Sequence, residues 1–178
     1  MATLERARAP TFNRFFAALV PLVCGVLGVV IANIPISILG GAVPPPLLGL
    51  VPVYFWCLVR PDLMTPAAAL AVGLCEDIMS GSPPGVWTLA FVLTYALVAR
   101  QRDSFAGLSG VAAVVGFGTA ASVACASAYF TIAALYGHLP PVAPILSELV
   151  MTVLFYIPAA YVVGIIHHRL VGASRSDI

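Results

Sequence analysis

The sequence predicts an all-α integral membrane protein, a compact bundle of six transmembrane helices with both termini on the cytoplasmic side. Three observations predict it. Of 178 residues, 61% are hydrophobic and only 8% are charged, against about 25% charged in a soluble domain. So few charges cannot cover a water-exposed surface of this size. The apolar residues gather into six runs separated by Pro- and Gly-rich breakers. The eight basic residues, all Arg, fall at alternate boundaries between those runs. High hydrophobicity also excludes intrinsic disorder, and a net charge of +1 excludes the basic footprint of a nucleic-acid binder.

Residues 1–14 form a polar, basic segment expected in the cytoplasm. The apolar run over residues 15–39 is longer than a signal-peptide core and is expected to remain as the first span. Pro21 lies near its start, and Asn33 and Pro35 mark its end. Residues 40–46, GGAVPPP, cannot continue a helix. The second run, 47–59, stops at Arg60-Pro61-Asp62, and the third, 63–79, is apolar except for Glu76 and Asp77. Ser80-Gly81-Ser82-Pro83-Pro84-Gly85 is the next breaker. The fourth run, 86–99, stops at Arg100-Gln101-Arg102-Asp103. The fifth, 105–136, is rich in Ala, Gly and Ser and is expected as one long helix. Residues 137–141 break it; the sixth run, 142–166, closes a single membrane domain of residues 15–166, with a cytoplasmic tail over 167–178.

Runs two to four are short against the roughly 20 residues a span needs. They either cross with local bilayer thinning, or runs two and three form a re-entrant hairpin buried by protein. Arginine placement favours six crossings. With an inner N-terminus, Arg6, Arg8, Arg14, Arg60, Arg100, Arg102, Arg169 and Arg175 all face the cytoplasm, while Glu76, Asp77 and Glu148 lie in the outer half.

In lipid, helices associate where small residues let backbones approach. Run five carries Gly116, Ala120, Ala124 and Ala128 at four-residue spacing; run one carries Cys24, Gly28 and Ala32; run three carries Ala69, Gly73 and Asp77. Such ridges either pack the bundle internally or receive a partner's helix, run five being the first candidate for a partner. Asp77 is expected to accept backbone N–H groups of residues 80–82 and fix the turn. Glu76 and Asp77 point about 100° apart on a helix and so cannot serve one catalytic point together. Glu148, about two turns into run six, is expected to be the most buried charge, either protonated or hydrogen-bonded to Ser147, Thr152 or a neighbouring helix. His167 and His168 suit a helix C-terminus and have no accompanying metal-ligand cluster. Cys24, Cys57, Cys75 and Cys125 read as small core residues. No nucleotide loop, zinc-protease or serine-hydrolase pattern occurs, so no enzyme, metal or cofactor is expected.

Residues 52–103 resemble the bacterial rod-shape-determining family MreD. The resemblance rests on an aromatic cluster before Arg-Pro (Tyr54, Phe55, Trp56, then Arg60 and Pro61), a Gly-Leu-x-x-Asp stretch (Gly73, Leu74, Asp77), then Gly81, Pro83 and Gly85, and a helix that carries Tyr95 and ends in Arg-Gln-Arg. It departs from the family at Glu76 and at Pro84. The resemblance implies a non-enzymatic inner-membrane subunit of the cell-elongation and peptidoglycan-synthesis complex. Its implied partners are MreC, the RodA glycosyltransferase with its penicillin-binding transpeptidase, and MreB filaments. The family is similar in fold to the substrate-binding (S-component) subunits of vitamin transporters. Arg60, Pro61, Asp77, Gly81, Pro83, Gly85, Gly116, Ala120, Ala124 and Glu148 are the structural or partner-binding candidates. The arginine rim is expected to anchor the body to anionic membrane lipids. The alternative function is a transporter subunit capturing a vitamin-like molecule. That requires an outward cavity with convergent polar groups, for which Glu76, Asp77, Glu148, Asn33 and His138 are the available residues.

Overall fold

The computed structural model describes residues 11–34, 44–108 and 110–171. Arg6, Arg8, Arg175, Pro35 and most of the 40–46 breaker lie outside the described residues. Within them all regular structure is helical, with no strand. Seven α-helices follow in order: α1 Thr11–Ala32, α2 Leu50–Val59, α3 Pro66–Ser80, α4 Val86–Arg100, α5 Arg102–Ala106, α6 Val111–Tyr136 and α7 Val142–Ile166. A π-turn, His167–Val171, extends α7. Two helices, Val111–Tyr136 and Val142–Arg169, are long and apolar enough to cross a membrane.

The breakers act as expected. Asn33 ends α1, its backbone and side-chain amides both donating to the Val29 carbonyl at 3.0 Å. Thr65 caps α3 by accepting from Ala68 N at 3.2 Å, with Pro66 in the first turn. Gly81, at φ 66°, supplies the left-handed residue that stops α3. One expectation fails: the run over 105–136 is not a single helix. α5 ends at Ala106 and α6 begins at Val111, Gly110 adopting φ 57°, and Phe105 belongs to α5. The break is stabilised by a fit, since Gly116 has no side chain and Leu108 Cδ1 lies 2.6 Å from where a Cβ would stand.

α2 is the centre of the core. Its ten residues extend about 15 Å, and Leu50, Val51, Val53, Tyr54, Trp56 and Cys57 are all buried. Tyr54 is ringed edge-on by Phe105, Phe117 and Tyr156, and Phe117 stacks on Tyr156 at 4.2 Å. The Gly116, Ala120, Ala124 and Ala128 ridge of α6 is wholly buried, with Leu108, Tyr54 and Phe105 packed around Gly116. It therefore packs the bundle and presents no free face to a partner. Cys57 and Cys125 are buried and Cys24 and Cys75 half-buried, all as free thiols. α7 is the opposite case: Leu154, Ile157 and Tyr161 are each more than 60% exposed.

Candidate functional site: a carboxylate clasp between α3 and α4

α4 begins at Gly85, whose φ of 102° suits glycine and which has no side chain to cap the helix. The first N–H groups of a helix need acceptors from elsewhere, and Asp77, from the last turn of α3, supplies them. One oxygen accepts Trp87 N at 2.7 Å and the Ser82 hydroxyl at 3.2 Å. The other accepts Gly85 N at 2.8 Å, Thr88 N at 3.1 Å and the Thr88 hydroxyl at 2.6 Å. The carboxylate thus takes the place of a missing N-cap side chain, at the helix end where negative charge is favoured. Its acceptor capacity is used by these five bonds, which leaves no lone pair free for proton transfer to a substrate.

Gly73, one turn earlier on the same face of α3, makes the clasp possible. A Cβ there would lie 2.7 Å from Thr88 Cα and 2.9 Å from Trp87 O, so only a bare backbone lets α4 approach this closely. Asp77 therefore does fix the turn, as the sequence suggested, but through the start of α4 and not through the N–H groups of 80–82. Gly81, Pro83 and Gly85 join it in the same turn. Thr88 was missed by sequence reasoning, since its hydroxyl is engaged only by Asp77, eleven residues earlier in the chain.

Glu76, the adjacent residue, faces another way. It is 2% exposed and accepts the Asn33 amide at 2.9 Å through Oε1, while Oε2 has no partner among the described residues. Glu76 and Asp77 are both more deeply buried than Glu148, which is half-buried; the expectation that Glu148 is the most buried charge is corrected. Ser147 and Thr152 do not bond its carboxylate. Their hydroxyls donate to the Pro144 and Glu148 carbonyls at 2.7 Å, because Ser and Thr in apolar helices satisfy themselves on the preceding turn. Thr152 also accepts Leu47 N at 2.9 Å, tying α7 to the start of α2.

The remaining candidates sit at the opposite end of these helices. Arg60 forms a fork with Asp62, with Nε and Nη2 each 2.9 Å from a carboxylate oxygen, and Pro61 opens the turn into α3. Tyr95 donates to Met64 O at 3.0 Å, and Arg102 Nε to Leu58 O at 3.2 Å. His167 is buried edge-on to Phe55, its Nδ1 without a partner among the described residues. Among the described residues no group of His, Cys, Asp and Glu is arranged to hold a metal.

The chain matches no family model, no curated protein and no solved structure. What the fold and site define is a helical protein with two membrane-length apolar helices and a buried polar clasp that closes a helix pair.

Proposed function

We propose that this chain is a non-enzymatic, multi-pass inner-membrane scaffold of the bacterial cell-elongation complex, of the MreD kind, with MreC as its direct partner. The observation that supports it most is that residues carrying the resemblance have structural work. Gly73 admits α4, Asp77 caps it, Gly81 and Gly85 shape the turn, and Tyr95 and Arg60 close the far end. Six crossings fit the charge distribution: Arg60, Arg100, Arg102 and Arg169 stand at or beyond the C-terminal ends of α2, α4 and α7, whereas Glu76, Asp77 and Glu148 stand near the other ends.

The partner's single helix fits α6 on its outer side. There Gly118, Ser122 and Ala126 repeat the small-residue spacing two positions on from the buried ridge, and Ser122 and Ala126 are exposed. Gly118 and Ser122 floor a groove of about 520 Å3 walled by Leu149, Val150, Val153 and Leu154 of α7. The test is photo-cross-linking from position 122 in membranes of a rod-shaped bacterium, with mass-spectrometric identification of the captured protein. MreC is the expected product. Capture of an ATP-driven transporter module in its place, with tight binding of a vitamin-like molecule to the purified chain, would replace this reading.

A further inference from the structure

We propose that the groove between α4, α5 and α6 is a binding site for one anionic phospholipid, its headgroup at Arg100 and one acyl chain laid along α6. This rests on the membrane reading but not on the identity of the protein partner. The groove holds about 770 Å3 and is open on one side. It is lined from Gln101 and Phe105 at one end, past Val111 and Val115, to Val123. From 111 to 123 the helix rises about 18 Å, close to the ~15 Å depth of one leaflet of a 30 Å hydrocarbon core.

Charge is confined to one end, since Thr119 along the groove turns its hydroxyl back onto Gly116 O. Leu97 and Gln101 line the groove, and Arg100 stands beside them in the last turn of α4. Arg100 is exposed, and no hydrogen bond or ion pair engages its guanidinium among the described residues. Arg102 is committed to Leu58 O. Asp103, exposed nearby, leaves residues 100–103 with a net charge of +1, a match for one phosphodiester. The shape comes from the break between α5 and α6, where Leu108 seats against Gly116 at the groove wall. A basic pocket at the cytoplasmic end of an apolar channel is the chemistry that holds anionic headgroups.

The test is native mass spectrometry of the full chain in detergent, titrated with phosphatidylglycerol or phosphatidylcholine. One phosphatidylglycerol per chain is expected, favoured over phosphatidylcholine by about fivefold. Arg100→Gln, an exposed change, should abolish that preference. Arg169→Gln, equally basic but not lining the groove, should leave it intact. Val115→Trp, also exposed, should fill the groove and lower retention of both lipids. Equal retention of the two lipids, an unchanged Arg100→Gln protein, or equal losses in both arginine variants would overturn the site. A chain that fractionates without detergent as a soluble protein would instead overturn the membrane reading itself, and failure to capture MreC would leave the lipid result standing.

Discussion

The α3–α4 and α6–α7 hairpins are both built from apolar sequence, yet they are held by different means. Across α3–α4, one buried carboxylate takes three backbone N–H groups and the Thr88 hydroxyl of the neighbouring helix, and a glycine brings the backbones together. Across α6–α7, no hydrogen bond crosses among the described residues. The hydroxyls of Thr119, Ser122, Ser127, Thr131 and Ser147 all turn back onto their own helices. Lipid is as apolar as leucine, so burying leucine between helices yields little association energy there. A hairpin that must stay closed therefore needs close backbone contact and polar bonds. One without them keeps its apolar surface available to lipid or to another helix.

The comparison breaks most directly at Asp77. Asp77→Ala leaves three N–H groups at the start of α4 without their acceptor and should cost about 3–5 kcal/mol. Thermal unfolding in detergent measures it, and a variant as heat-stable as the parent would show that the clasp does not hold the hairpin. Asp77→Asn, which keeps one acceptor oxygen, should fall between the two. Gly73→Ala comes next, at about 1–3 kcal/mol, because its methyl would meet the backbone at Thr88 and Trp87. The same assay should rank it below Asp77→Ala. Gly118→Leu combined with Ser122→Leu sharpens the other side. Fold stability should change by less than about 1 kcal/mol, with nothing but Val153 near Gly118 at 3.8 Å, while MreC cross-linking from position 126 drops severalfold. The smallest effect belongs to Leu154→Ala. The side chain is 63% exposed, and stability should stay within about 0.5 kcal/mol; a larger loss would mean that α7 is covered by protein in the membrane.

Much of the helix plan was legible because its punctuation is chemical. Arg60-Pro61, Gly81, Gly85, Gly137 and Pro141 each stand at a helix end, where proline lacks a donor and glycine tolerates positive φ. The break at 107–110 was not legible. Gly107 and Gly110 sit in a stretch already rich in glycine and alanine, where such residues as readily mean packing as turning. The side chain that settles the matter, Leu108, finds its place only against Gly116 eight residues on. Asp77 was recognisable as a turn-fixing group. Its true acceptor geometry was hidden, because Trp87 and Thr88 reach it only once the turn has folded back.

Sequence alone determined which segments are apolar, where most of them must stop, and which residues form smooth ridges, since periodicity and backbone restriction are properties of a single stretch of chain. Only the tertiary structure decided which ridge is consumed inside the bundle, which is left at the surface, and which carboxylate is fully engaged. Those outcomes depend on what a second helix brings to the same place, and a one-dimensional pattern carries no record of its neighbour.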